Sequence, residues 1–451
     1  MAGRDDIDFG TAKIPRLFRN IFVPTLLGMA SWSLITVADG IFVGRGVGSH
    51  GIAAINICYP VFILLAGFAL MVGMGASVAA SIHLSKNNIK AARINTTQAL
   101  WFASVVSIMA TAVALLFPHE ISCLLGASQS LEQPVMDYLV YMIPSAVFQM
   151  WGMIGLFMIR LDGSPKYAMW CNVVPAMLNM LLDWLLIFPF GMGIKGAAIA
   201  SAISTAVSGT MSMAYFLFKA KTLELYRIKF TAISLRLTLR NIGYQCRIGF
   251  PALLGEITMA VLMITGNLVF MECLGDNGVA AFGVACYYLP FVFMFGNAIA
   301  ESAQPIISFN YGLGRKERVA EALAISCRTG IIGSLLSIMA FTMFPAWLVH
   351  LFIEGTDPAS LIAIDGFPYF AAGFLFFILN LVAVGFFQSI ERVKPALVFA
   401  LLRGALFMLP CFILLPEILG TSGIWLSMPL SEATTFLFVV FYMLINRKRL
   451  F

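Results

Sequence analysis

Residues 53–84 read AAINICYPVFILLAGFALMVGMGASVAASIHL, and none of them is Asp, Glu, Lys or Arg. A bilayer's hydrocarbon core is about 30 Å thick, and a helix needs roughly 20 apolar residues to cross it. This stretch exceeds that, which predicts a tilted or overlong membrane-spanning helix. Working outward, the same criterion gives twelve candidate spans at about 17–43, 53–84, 95–117, 134–160, 167–190, 194–218, 243–272, 279–310, 320–352, 362–390, 395–416 and 421–445. The 451-residue chain is 60% hydrophobic and 11% charged, too little charge to cover a soluble surface of this size. The expected fold class is an all-α membrane protein with twelve transmembrane helices.

The net charge of +6 does not point to nucleic acid, because the basic residues are dispersed in short clusters between apolar runs. Arg16 and Arg19 precede the first span. Lys86 and Arg93 follow the second, Lys166 the fourth, Lys219 to Arg240 the sixth, Arg315 to Arg318 the eighth, Arg392 and Lys394 the tenth, and Arg447 to Arg449 the last. The opposite loops carry only Arg45 and Lys195. This asymmetry predicts cytoplasmic termini. The polar, mixed-charge start MAGRDDIDFG does not read as a cleavable signal peptide. The eight cysteines are scattered with no CxxC spacing, as reduced packing residues would be.

The chain repeats itself. Pro24-Thr-Leu-Leu-Gly matches Pro251-Ala-Leu-Leu-Gly at an offset of 251 − 24 = 227, and the same offset carries Gly48 onto Gly275 and Gly51-Ile-Ala-Ala onto Gly278-Val-Ala-Ala. Near the ends of the halves the offset is 230: Pro165 maps onto Pro395 and Gly193-Ile onto Gly423-Ile. Two six-helix lobes, 1–218 and 243–451, are expected, joined by a basic cytoplasmic loop at 219–242. An even number of spans per half makes the repeat parallel, an arrangement suited to alternating access.

Ionisable groups at membrane depth are costly and mark candidate sites. Five acids fall inside predicted spans: Asp39, Asp183, Glu256, Glu301 and Glu432. Asn179 and Asp183 are four residues apart and share a helix face. Pro175 precedes them by a turn and is expected to free a backbone carbonyl near the pair. A carboxylate, an amide oxygen and such a carbonyl are hard ligands for Na⁺; alternatively the carboxylate carries a proton. Ser201 and Ser204 lie in the small-residue stretch GAAIASAISTAVSG, which allows close helix approach. No HExxH, GxSxG or phosphate-binding glycine loop is present, and His50, His83, His119 and His350 are dispersed, so nothing suggests an enzyme or a bound cofactor.

The span-1 stretch VADGIFVGRGVGSHGIAA, the span-5 stretch NMLLDWLLIF with GIKGAAIASAIS after it, and QPIISFNYGLGRKERV at the end of span 8 resemble the MATE (multidrug and toxin extrusion) family, nearest its MepA-like and DinF-like bacterial branches. RLDGSPKYA after span 4 adds support. The resemblance implies two lobes of six helices in the bacterial cytoplasmic membrane and H⁺- or Na⁺-driven export of small organic cations or zwitterions by a monomer surrounded by lipid. It implies an N-lobe cation site from Asp39, Asn179, Asp183 and Ser201, with Na⁺ as the metal ion that Asp39, Asn179 and Asp183 could hold. Glu256 matches a span-7 acid of part of the family. Glu301, Arg403 and Glu432 join it as substrate-cavity candidates, Arg403 and Glu432 resembling a polar pair of MepA-like members. The span-10 acid of NorM-like members has no counterpart. A flippase for a lipid-linked precursor is the alternative in the same superfamily; the preponderance of acids over Arg403 at depth argues for cationic or zwitterionic cargo instead.

Overall fold

The computed structural model describes residues 7–447, apart from 128, 130, 229, 230 and 354. In chain order the helices are α1 (Ile14–Gly46), α2 (Ser49–Ser85), α3 (Ile89–Leu116), α4 (Pro118–Leu124), α5 (Glu132–Met142), α6 (Ala146–Leu161), α7 (Pro165–Ile187), α8 (Gly193–Phe218), α9 (Ala232–Gly312), α10 (Lys316–Met343), α11 (Pro345–His350), α12 (Pro358–Ala371), α13 (Phe374–Ser389), α14 (Val393–Leu401), α15 (Met408–Leu419) and α16 (Thr421–Ile445). A π-helical turn, Leu402–Leu406, separates α14 from α15.

Ten stretches of helix are long and apolar enough to cross a bilayer, and α12 with α13, bent by 46°, make an eleventh crossing. The 81 residues of α9 would run about 120 Å if straight. They are interrupted at Gly275, where φ is 64° and ψ −157°, so α9 counts as two crossings. The total among the described residues is the expected twelve. Span 4 is itself composite: α5 meets α6 through the 3₁₀ turn Ile143–Ser145 around Pro144.

The repeat extends to the backbone. Gly48 (φ 88°, ψ −168°) joins α1 to α2 in the conformation that Gly275 adopts 227 residues later. A residue with φ near +60 to +90° and ψ near ±160° is all but confined to glycine. Left-handed residues end α2 at Asn87 and α9 at Gly314, again 227 apart, and follow α6 at Gly163 and α13 at Glu391, 228 apart. Each makes the same closing hydrogen bond: Asn88 N donates to His83 O at 2.9 Å, Arg315 N to Asn310 O at 2.9 Å, Ser164 N to Ile159 O at 3.0 Å and Arg392 N to Phe387 O at 2.8 Å. These six-to-one bonds satisfy carbonyls that the helix end would leave bare. Phe117-Pro118 and Phe344-Pro345, also 227 apart, start α4 and α11 with proline at the position where its missing N–H costs least.

The chain divides into two compact units: one holds Arg19–Gly249, the other Lys13–Phe18 and the chain from Phe250 onward. In the first, α6 and α8 approach closely at Gly155 and Gly209. A Cβ on Gly155 would lie 2.6 Å from Ser212 Cβ, and one on Gly209 would lie 2.3 Å from the carbonyl oxygen of Phe148. The small residues foreseen in α8 are thus used for contact. The helix α9 begins at Ala232, inside the expected 219–242 loop, and its first eighteen residues belong to the first unit. Gly75 accommodates the carbonyl of Gln245 and Gly249 that of Met71; in each case an added Cβ would sit 1.8 Å from the oxygen. The second unit has an aromatic core around Phe270, Phe282 and Trp425, with ring centroids of Phe270 and Phe282 4.6 Å apart and Trp425 4.7 Å from Phe270.

Candidate functional site

Five helices of the first unit supply one polar cluster. Asp39 comes from α1, Cys58 from α2, Tyr138 from α5, Asn179 and Asp183 from α7 and Ser201 from α8. Asp183 and Asn179 are 0% and 1% exposed. They stand one turn apart on α7, on the buried stripe Cys171, Pro175, Ala176, Asn179, Asp183 and Ile187, the spacing a helix needs to present one face inward. The Asn179 side-chain amide donates to Ser201 Oγ at 3.3 Å, so its oxygen is turned to the other side. Tyr138, also buried, faces the Ser201 side chain and lies within coulombic range of both Asp39 and Asp183. The two carboxylates are within coulombic range of each other.

The cluster is rich in acceptors and poor in donors. Asp39 Oδ1, Asn179 Oδ1 and both carboxylate oxygens of Asp183 are buried with no hydrogen-bond partner. An unpaired polar atom in a dry interior costs about 1–3 kcal/mol and a bare charge far more. Such a set is therefore incomplete without a cation or a proton. The oxygens are hard donors of the kind that hold Na⁺. Among the described residues no group of three His, Cys, Asp or Glu is disposed to hold a metal ion, so the cluster does not resemble a transition-metal site.

The carbonyl expected from Pro175 is not a ligand. Proline at 175 deprives Cys171 O of its helical donor, and Ser208 Oγ of α8 replaces that donor at 2.8 Å. The freed acceptor belongs to a residue eight positions, about two turns, before Asn179, and it is already satisfied. Tyr138 had no signal in the sequence beyond being a hydroxyl within a span, because α5 is a short helix whose inward face is set only by its packing.

The second unit contains the remaining candidates. Glu256 and Glu301 are within coulombic range of each other. Arg403 and Glu432 are 2% and 3% exposed and form an ion pair, with Arg403 Nη2 and Nε donating to Glu432 Oε1 at 2.9 and 3.1 Å. Asn380 Nδ2 donates to Glu432 Oε2 at 2.7 Å, and the Arg403 guanidinium lies over the Phe377 ring at 4.6 Å. The charge of Arg403 is thus cancelled locally. Arg403 sits on the π-turn, which rotates it off the regular helical register. Gly404 beside it makes room for Thr258, whose Oγ1 would be 2.2 Å from a Cβ there.

A bilayer-spanning pair of six-helix repeats with acids at depth defines a solute transporter rather than an enzyme. The MatE family profile matches twice, over 24–185 and 251–413, beginning at the two prolines that mark the repeat, and the chain belongs to the MatE family. Curated relatives include an "FAD transporter" of Shewanella oneidensis, 27% identical over 94% of this chain and 92% of that protein, and the "Multidrug export protein MepA" of Staphylococcus aureus, 24% identical over 98% and 96%. Similar solved structures include an outward-facing multidrug resistance MATE transporter of the MOP superfamily, with a TM-score of 0.90 and 20% identity over 97% of each chain. Another is a MOP superfamily transporter from Pyrococcus furiosus described as having a binding pocket of reversed polarity, with a TM-score of 0.87 and 21% identity over 97% and 96%. These likenesses bear on the fold.

Proposed function

We propose that this protein is a secondary active exporter that exchanges small organic cations or zwitterions for H⁺ or Na⁺ by alternating access, and that Asp39, Asn179, Asp183, Ser201 and Tyr138 form its coupling site. The observation that carries the reading is the Asp183 carboxylate: fully buried, with neither oxygen hydrogen-bonded, beside a second carboxylate. Binding a cation or proton there relieves repulsion between two charges in a low dielectric, and an ion that does so more in one arrangement of the lobe than in another biases the lobe toward it. In this reading the protein works as a monomer in the bacterial cytoplasmic membrane, and the charge asymmetry of its loops supports cytoplasmic termini. Glu256, with Glu301 within coulombic range, gives the second unit a partly buried carboxylate to attract cationic cargo, while Arg403 and Glu432 serve as a neutral structural pair. Transport of a fluorescent organic cation into proteoliposomes, with Na⁺ and pH gradients imposed separately, tests this. Asp39→Asn and Asp183→Asn should each abolish gradient-driven uptake with the protein still inserted; full uptake by both variants would refute the coupling site.

A second reading has one observation in its favour. The Shewanella relative is named for FAD, a dinucleotide with anionic phosphates. In that reading an anionic flavin would be the cargo. Competition of FAD against the organic cation in the same assay separates the two.

A further inference from the structure

The first eighteen residues of α9, AISLRLTLRNIGYQCRIG, have two unlike faces. One is held in the first unit by a buried ladder of amides and hydroxyls. Gln98 Nε2 donates to Thr238 Oγ1 at 2.8 Å, Asn241 Nδ2 to Gln98 Oε1 at 3.2 Å and Gln245 Nε2 to Asn95 Oδ1 at 2.8 Å. Thr238, Ile242, Gln245, Ile248 and Gly249 are buried. The other face is exposed and carries Arg236, Arg240 and Arg247, spaced at 0, 4 and 11, a single stripe on a helix of 3.6 residues per turn. Ile233, Leu235, Leu239 and Tyr244 flank it, each at least 44% exposed.

No acid among the described residues pairs with the stripe. Between 219 and 249 there are seven basic residues and one acid, Glu224. Glu224 is already paired with Arg93 at 2.9 Å, and none of the three arginines has an ion-pair partner among the described residues. The same design opens the other half, where Lys13, Arg16 and Arg19 are exposed while Ile14, Leu17, Phe18 and Ile21 are buried. Charge asymmetry across the membrane explains basic residues at this end of the chain's spans, but not their alignment on one face amid exposed leucines. A cationic stripe bordered by apolar side chains is the surface an interfacial helix presents to anionic lipid.

We infer that Arg236, Arg240 and Arg247 form a binding stripe for the headgroups of anionic phospholipids in the adjoining leaflet, with the flanking leucines against the acyl chains. The inference needs only that this helix meets the bilayer surface, and it is independent of which solute or ion is moved. Because the opposite face is fixed by the Asn95–Gln98 ladder and the helix runs unbroken into the second unit's first span, lipid bound there stabilises the whole protein and not a loose end.

The test places the full chain in nanodiscs of phosphatidylcholine with increasing phosphatidylglycerol and follows the thermal unfolding midpoint. The anionic lipid should raise the midpoint of the wild type. Attraction to an anionic surface is worth about fivefold per arginine, about a hundredfold for three, so R236Q/R240Q/R247Q should show almost no rise over the same range of phosphatidylglycerol. The corresponding triple lysine variant, which keeps the charges, should respond as the wild type does. High salt should erase the effect in the wild type by screening; this measurement decides the matter if the glutamine variant does not fold. An equal response from the glutamine variant would overturn the proposal, as would a response that persists in high salt. Equal stabilisation by inorganic phosphate in phosphatidylcholine alone would also overturn it, since the stripe would then be a free-anion site.

Discussion

Ser208 Oγ donates to the carbonyl oxygen of Cys171 at 2.8 Å, and it fills the place left vacant because Pro175, four residues on, has no N–H to give. The proline therefore does not expose a ligand beside Asn179 and Asp183. It fastens α7 to α8, the two helices that carry the polar cluster.

Ser208→Ala should leave that buried carbonyl unsatisfied and cost about 1–3 kcal/mol. Pro175→Ala restores the helical donor, so Pro175→Ala combined with Ser208→Ala should recover most of the loss. Thermal unfolding of the two single variants and the double variant checks this. Additive losses would mean that the hydroxyl is not a surrogate for the missing N–H.

Tyr138→Phe removes the hydroxyl that faces Ser201, a polar group the site can use toward the ion, without emptying the space its ring fills. A neutral hydrogen bond of net worth about 0.5–1.5 kcal/mol corresponds to about a two- to tenfold change in affinity. The concentration of coupling ion giving half-maximal transport should rise by that factor while the maximal rate is kept. An unchanged half-saturating concentration would remove Tyr138 from the site.

Sodium ion and proton should compete for the oxygens of Asp39 and Asp183. At lower pH the carboxylates are filled by protons, so apparent Na⁺ affinity should fall as pH falls, and Na⁺ binding should release protons into weakly buffered detergent solution. Asp183→Asn should release none. Proton release unaltered in that variant would place the exchange elsewhere.

Removing one member of the buried pair Arg403–Glu432 strands the other charge, so Arg403→Met alone or Glu432→Met alone should cost about 3–5 kcal/mol. Replacing both together should cost much less and leave transport measurable. Should the double variant fold well and move no cation, Arg403 and Glu432 would return to the list of cavity residues.

Much of the architecture could be read from the amino-acid sequence, for physical reasons particular to membranes. Residues 53–84 leave no alternative to a span, and the matching glycines at 48 and 275 mark a backbone geometry that other residues resist. Asp39, Asn179 and Asp183 stood out because polar atoms in hydrocarbon need a reason to be there, the family resemblance added Ser201, and the four lie in one polar cluster whose coupling role is the proposal above. Besides Tyr138, two things were hidden. The donor to Cys171 comes from another helix, and no local pattern in α7 reveals it. The start of α9 reads as a basic loop, since its arginines mask the inward positions Thr238, Asn241 and Gln245, which are spaced as a helix face but are polar and not apolar.

The opening of α9, Ala232–Gly249, groups with the first unit although it leads into the second half of the chain, and Lys13–Phe18 group with the second. Neither half is self-sufficient. A fragment ending at residue 218 keeps Asn95 and Gln98 but lacks Thr238, Asn241 and Gln245, so it would expose amides that the full chain buries. Severed halves should therefore accumulate only when made together.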